Sequence, residues 1–427
     1  MILHPVLSDL ARFGVRMGLS RMRSFLTFLG EPLAGLKVLH VAGTNGKGST
    51  VRMLGSMLRA AGYRVGEFTS PHLQRINERI CIGGVEISDE ALDALLRELA
   101  EARTQWAAEV TGGEVDGDVA LTYFEMITAA ALVHMARSAV DVAILEVGLG
   151  GRLDATNLVE PLACAIVSVG LDHTEQLGPD LASIAAEKAG IVKVGCPVVV
   201  GPLSLDALRV VRLIARERSA PLLEAGEHYR TLRSDTGRFT WTFDNRTLRD
   251  LPLSLAGDHQ IDNAGVAVTL LSQVADVLPV SEEAIRAGLA AASHPGRLEW
   301  LAEDVLIDCA HNCEGAVSLS DYLRPLPRDR PRTLLLGASA DKDVRSMVVQ
   351  LAPHFDRVMT TQCSHPRAAE AGEIARQLID VDMPVLPAGP IEQAITLARD
   401  GRSLVVAAGS IFLAGAVRDL LGAQSGS

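Results

Sequence analysis

The chain has no Cys-x-x-Cys pair, no apolar run long enough to span a bilayer, no surplus of basic residues and no repeated or low-complexity segment. Each absence removes a class of protein. Six scattered cysteines (Cys81, Cys164, Cys196, Cys309, Cys313 and Cys363), most of them in apolar strand-like runs, fit buried reduced thiols better than disulfides or a zinc site. The 40 Lys and Arg against 52 Asp and Glu give a net charge of -12, which argues against nucleic acid or an anionic membrane as the main partner. No basic region followed by an apolar core and a cleavage site opens the chain, so the cytoplasm is the expected compartment. A guanine-reading Asn-Lys-x-Asp segment is also missing, which weighs against a P-loop switch or nucleotide-binding regulator.

What is present suits a soluble protein. Its 427 residues, 48% apolar and 22% charged, are enough for two or three domains with substantial cores. Residues 36–42 read as a short buried strand, a glycine-rich turn follows, and 47–61 carry a helical pattern closed by Gly62. This geometry binds phosphate: loop amides and the positive end of the helix dipole face the anion, Lys47 adds a full charge, and Ser49 or Thr50 can reach a magnesium ion. The loop departs from the standard P-loop, because Gly48 separates Lys47 from the hydroxyls.

Further strands bring polar groups to the same edge. After a strand over 64–68 comes the loop Thr69-Ser70-Pro71-His72-Leu73, and in open α/β sheets ligands bind beyond strand carboxyl ends. Residues 109–119, rich in Gly and Asp, are expected to form a surface loop, and Thr122 to Glu125 has capping-box spacing before a long apolar helix. The strand over 141–147 contains Glu146, then Gly148 and Gly150. A Gly-x-Gly after a strand invites a dinucleotide oxidoreductase reading, but no helix-opening pattern follows, and an acid opposite a phosphate loop is better read as a metal ligand. Asp172 and His173 follow the next strand, over 162–169; by itself, His173 could be a loop histidine satisfied by backbone. Lys188, on the helix after it, is either a surface group or one whose charge is neutralised. The stretch 203–257 supplies a helix and alternating antiparallel strands, and Asn263 lies on the helix that follows. Ser293-His294-Pro295-Gly296-Arg297 is a Pro/Gly break. Beyond it, strands near 305–307, 333–336, 357–361, 384–386 and 404–408 alternate with helices. The fold class is therefore two-domain α/β: a P-loop ATPase-type domain with a mostly parallel sheet over 1–293, a boundary at this break, and a smaller Rossmann-like domain over 298–427.

The blocks His40-Val-Ala-Gly-Thr-Asn-Gly-Lys-Gly-Ser49, Ser70-Pro71-His72, Thr122 to Glu125, Leu145 to Asn157, Leu171 to Thr174, Glu187 to Gly190, His259 to Asn263, Pro295 to Arg297, Asp308 to Asn312 and Asp341 to Asp343 resemble, in order, those of the folylpolyglutamate and dihydrofolate synthases of the Mur ligase superfamily. The resemblance covers nearly the whole chain. It implies ATP-dependent amide ligation: ATP phosphorylates a pteroate or folate carboxylate, and the amine of L-glutamate attacks the acyl phosphate. It also implies roles. Thr44, Asn45, Gly46, Lys47, Gly48, Ser49 and Thr50 would bind ATP, with Asn263, Arg297, Asp308 and His311 joining across the cleft. Ser49, Ser70, Glu146 and His173 would hold magnesium, and Lys188 matches a lysine carbamylated by carbon dioxide. Lys47, Lys188, His173 and Arg297 form the implied catalytic set; Ser70, His72, Asp154, His311 and Ser410 face the acceptor and L-glutamate. The expected enzyme is a monomer acting on small molecules, either bifunctional or limited to one of the two ligations.

Overall fold

The structure, a computed structural model, describes residues 4–11, 13–14, 16–111, 120–234, 236–363, 365, 367–399 and 401–422. Of the segment 109–119, residues 112–119 lie outside the described residues, and 109–111 end the helix Asp89–Thr111.

The first sheet comprises β1 (Val38–Ala42), β2 (Val65–Phe68), β3 (Ile80–Ile82), β4 (Val85–Glu86), β5 (Val142–Glu146), β6 (Ala163–Ile166), β7 (Val198–Val200) and β8 (Leu222–Glu224), in the order β4-β3-β2-β5-β1-β6-β7-β8. β3 and β4 form an antiparallel hairpin at one edge; the other strands are parallel. Helices cover both faces, which is why the central strands are apolar without alternation. Leu39, Val41, Ile144 and Ala165 pack with Met53, Leu54, Ala264 and Ile285 on one face, while Ala143 and Leu145 meet Met126 and Ala130 on the other. Thr122 caps the helix Tyr123–Arg137 in a full capping box with Glu125.

A small antiparallel sheet follows, β9 (Tyr229–Arg233), β10 (Phe239–Phe243) and β11 (Arg246–Leu251), which buries Trp241 with its indole N–H donated to Thr269 Oγ1 at 2.9 Å. The last sheet holds β12 (Glu299–Ala302), β13 (Val305–Ile307), β14 (Arg332–Leu336), β15 (Arg357–Gln362), β16 (Val385–Pro390) and β17 (Leu404–Ala408), ordered β12-β13-β17-β14-β15-β16. Five of these strands lie close to where the alternating pattern puts them. β12 does not appear in that pattern: Glu299-Trp300-Leu301-Ala302 is a short edge strand, antiparallel to β13, that leaves Trp300 exposed. No helix among the described residues is long and apolar enough to cross a membrane.

Besides a polar seam centred on Asp172, the two large sheets are joined at two places. One is the chain itself over 292–298. The other is the loop after β2, where Leu73 is buried among Val305, Ile307, Leu413 and Val417 of the last sheet's core. The helix Ile411–Gly422 admits that loop through Gly415, where a Cβ would lie 2.2 Å from the Leu73 carbonyl oxygen. Glu78 shapes the loop by accepting from the amides of Leu73, Gln74 and Arg75 at 2.6, 2.8 and 2.7 Å.

The helix Lys47–Ala60 is positioned by an equally close approach. At Gly288 of the helix Glu282–Ala291, a Cβ would stand 2.4 Å from Met57 Cα. Gly288→Ala gains about 1 kcal/mol of helix propensity, but must force two backbones apart at a cost of about 1–3 kcal/mol. A lower urea midpoint is therefore expected; an unchanged or higher midpoint would show that the helices can separate without cost.

Candidate active site

Because β1, β2, β5 and β6 run parallel, the loops at their carboxyl ends open on one cleft, roofed by residues 308–311 and the start of the helix Cys313–Leu323. Gly46 begins the helix Lys47–Ala60 with φ +83°, and a Cβ there would lie 2.3 Å from Asn263 Oδ1, so glycine alone fits. Residues after β6 brace the loop. The Gly170 N–H donates to Thr44 Oγ1 at 2.9 Å, the Asn45 N–H donates to Ser168 Oγ at 2.8 Å, and Ser168 Oγ donates to the Asn45 carbonyl at 2.9 Å. Lys47 Nζ donates to the Thr44 carbonyl at 3.1 Å and stands 4.0 Å from Glu146 Oε1. Ser49 Oγ accepts from Gln260 Nε2 at 3.2 Å and lies 3.1 Å from His294 Nδ1. Gln260 also accepts from Asn263 Nδ2 at 2.9 Å. Thr50 is turned back on its own helix, donating to the Gly46 carbonyl at 3.0 Å.

Glu146 ends β5 with its side chain buried and Oε2 accepting from the Ser70 N–H at 3.0 Å. Burial raises its pKa, opposed chiefly by Lys47. Lys188, in the last turn of the helix Leu181–Ala189, is 3% exposed and has no carboxylate in ion-pair contact among the described residues. Burial, reinforced by the charge on Lys47, brings its pKa down to about 7. Arg297 lines the cleft and forms no ion pair among the described residues. Glu146, Ser49 and Ser70 offer hard oxygen atoms and His173 an imidazole beside them, and the buried, half-compensated carboxylate suits a small divalent cation. Another cluster, Glu224, Glu227 and His228, brings its ligand atoms within 4.8 Å of one another, but Arg212 already pairs with both carboxylates.

The polar seam between the two sheets centres on Asp172. Lys342 Nζ donates to its Oδ1 at 2.5 Å, Asn312 Nδ2 donates to Oδ2 at 3.1 Å, and His311 Nε2 is 3.3 Å from the same oxygen. Burial would raise the Asp172 carboxyl, but His311 and Lys342 together hold it well below the usual carboxylate range. Asn45 extends the seam to the phosphate loop by exchanging amide hydrogen bonds with Asn312 at 3.3 and 3.2 Å. His173 lies beside Asp172 with φ +51°, and its N–H donates to Asp172 Oδ1 at 2.9 Å.

Of the residues singled out in the sequence, Thr44 to Ser49, Ser70, Glu146, His173, Lys188, Asn263, Arg297, Asp308 and His311 all line this cleft. Asp308 also organises the connector, accepting from the Leu298 and Ala310 amides at 2.9 and 2.8 Å. Four lie off the lining, Thr50 with its hydroxyl turned back on its own helix and three others. Asp154 accepts from Leu149 N, Thr156 N and Thr156 Oγ1 and so holds the 148–156 loop. His72 Nδ1 accepts from Arg79 Nε at 2.8 Å, and Ser410 Oγ accepts from the Phe412 N–H at 3.1 Å. The sequence gives no role to Ser168, Gln260 and His294, which touch the phosphate loop: each arrives from a distant segment, and within the block His259 to Asn263 only Asn263 draws an assignment.

Comparison with known proteins follows the same outline. Residues 296–411 match the Mur ligase glutamate ligase domain. The chain is 36% identical over 382 residues to the dihydrofolate synthase/folylpolyglutamate synthase of Bacillus subtilis, covering 85% of each. Its structure resembles that of Escherichia coli FolC in complex with DHPP and ADP, with a TM-score of 0.88, 34% identity and 99% of each chain covered. The bifunctional folylpolyglutamate synthase/dihydrofolate synthase of Yersinia pestis, complexed with AMPPNP and a Mn ion, gives a TM-score of 0.84 at 33% identity over 98% of each chain.

The seam makes a prediction. Asp172→Asn removes the charge that Lys342 and His311 address and should loosen the contact by about 2 kcal/mol. Amide exchange over 310–315 and 341–343 is expected to quicken. In the native protein the Asp172 pKa lies below its unfolded value, so its contribution is fully present above about pH 4 and disappears only as pH falls through the folded value. Loosening of the native seam between pH 7 and 5 would contradict this assignment.

Proposed function

The chain belongs to the dihydrofolate synthase/folylpolyglutamate synthase family of ATP-dependent ligases, and we propose that it joins L-glutamate to the carboxylate of dihydropteroate, of a folyl-(poly)glutamate, or of both. One observation carries this reading: Lys47, Glu146 and Lys188 of residues 1–293 share a cleft with Arg297 of the connector and His311 of residues 298–427. Phosphoryl transfer to a carboxylate brings two anions together, and a cation-lined cleft between two units provides charge neutralisation, orientation and exclusion of water.

The loop amides, Lys47 and Ser49 hold the ATP phosphates. The acceptor carboxylate oxygen attacks the terminal phosphorus as ADP leaves, with Arg297 placed to offset charge on the transferring group. The glutamate amine then adds to the acyl phosphate, and phosphate departs from the tetrahedral intermediate. Ser49, Ser70, Glu146 and His173 would hold magnesium, which when bound neutralises phosphate charge. With a pKa of about 7, Lys188 has a neutral fraction at physiological pH. Its amine nitrogen can bond to the carbon of CO2 and release a proton, which yields an anionic carbamate in place of a cation. Residues 292–297 serve as the hinge between 1–293 and 298–427. Every group named comes from one chain, which fits a monomer, and the free cysteines with the need for ATP fit the cytoplasm.

Phosphate release should require ATP, L-glutamate and an acceptor, and supplying dihydropteroate or tetrahydrofolate separates the two ligations. Silence with both would refute the ligase reading. Lys188→Ala should lose at least about a hundredfold in kcat, by loss of charge stabilisation, while keeping its circular dichroism spectrum. After removal of bicarbonate, recovery on adding it back should be faster at pH 8 than at pH 6, since protonation blocks the amine below about 7. Near-normal Lys188→Ala turnover, or pH-independent recovery, would exclude the carbamate.

A further inference from the structure

Arg79, immediately before β3, is 8% exposed, yet no carboxylate among the described residues pairs with it. Its Nε donates to His72 Nδ1 at 2.8 Å, and its guanidinium carbon stands 5.5 Å from the Tyr123 ring centroid. These contacts fix the plane of the guanidinium and leave its outer N–H groups without an acceptor among the described residues. The treatment of neighbouring arginines is different: Arg52 and Arg59 both pair with the buried Glu67. Glu78, adjacent in the chain, spends its oxygens on three loop amides. Burial lowers the pKa of Arg79 although Tyr123, Glu146 and Glu78 pull the other way, consistent with a cation that lacks an anion. The Tyr123 hydroxyl is likewise sealed from solvent without a partner among the described residues. A desolvated cation and an unpaired buried O–H are both costly, and one bound carboxylate would satisfy the pair.

The position of this pair indicates which carboxylate. The Arg79 carbonyl accepts from the Thr69 N–H at 3.0 Å, and the next residue, Ser70, donates to Glu146. Phe124, adjacent to Tyr123, covers Gly148 in the loop after Glu146, where a Cβ would meet its ring at 2.4 Å. The pair therefore flanks the reaction centre from the segment between β2 and β3 and from the start of the helix Tyr123–Arg137. An acceptor with its reacting carboxylate at Lys47 and Glu146 carries a second carboxylate nearby only if it already ends in glutamate. The α-carboxylate of such a residue is three carbons from the reacting one, whereas dihydropteroate has none.

We infer that Arg79 and Tyr123 form a subsite for the α-carboxylate of a glutamylated acceptor, and so favour chain extension over first addition. This inference rests on the ligase reading above. The test compares KM for a tetrahydrofolate acceptor bearing one glutamate with KM for dihydropteroate, in wild type, Arg79→Gln, Arg79→Lys and Tyr123→Phe. In Arg79→Gln the ratio of the two should rise by about tenfold or more, the value of a lost charge-assisted contact. Arg79→Lys should fall between, and Tyr123→Phe, which removes one oxygen and leaves the fold in place, should raise the ratio about two- to fivefold. An unchanged ratio in Tyr123→Phe and in the soluble Arg79 variants overturns the subsite, as does a rise confined to KM for L-glutamate. A wild-type enzyme silent toward both acceptors overturns the ligase reading itself, so the two failures are distinguishable.

Discussion

An excess of unsatisfied positive charge in one cleft governs the arrangement of the rest. Lys47, Lys188 and Arg297 converge there, and most of the acids nearby are already engaged: Asp308 by the amides of the connector, Asp172 by Lys342 and His311. Glu146 is left as the one lining carboxylate with capacity to share among them. In a chain with a net charge of -12, such a pocket concentrates field where polyanionic substrates must enter, while the outer surface repels other anions. The low pKa of Lys188 follows from the same crowding, since a buried ammonium near Lys47 gains from losing its proton.

Strand direction makes this convergence possible. Four parallel strands end at one edge, so short loops separated by more than a hundred residues face one another without long excursions. Close packing then sets the positions. Glu67 on β2 ties down the phosphate-loop helix through Arg52 and Arg59, and Gly288 admits the neighbouring helix against Met57. The loop that carries Lys47 is thus held from behind by structure with no contact to substrate.

Much of this was legible in the sequence because the chemistry is local. A strand, three glycines, a lysine and two hydroxyls announce a phosphate loop, and polar residues at the ends of apolar runs mark the cleft edge. What could not be read is pairing across distance. Ser168, Gln260 and His294 brace the loop through one or two hydrogen bonds each from remote segments, and local spacing does not reveal such partners. The role of Thr50 was also undetermined by spacing, since a helix places successive hydroxyls on different faces. β12 escaped because a short exposed edge strand needs no apolar alternation, and the bracing roles of Asp154 and Asp308 appear only once their loops are folded.

Leu73 has a mechanical consequence. By chain order it belongs with the first sheet, yet its side chain completes the core of the last one, so the two halves touch at a fixed point in addition to their covalent link at 292–298. Two bodies pinned at two places keep one rotational degree of freedom, about the line through both pins. Any opening of the cleft is then a door swinging on that axis, with sliding and splaying suppressed. The Asp172 seam, lying off the axis, acts as the latch.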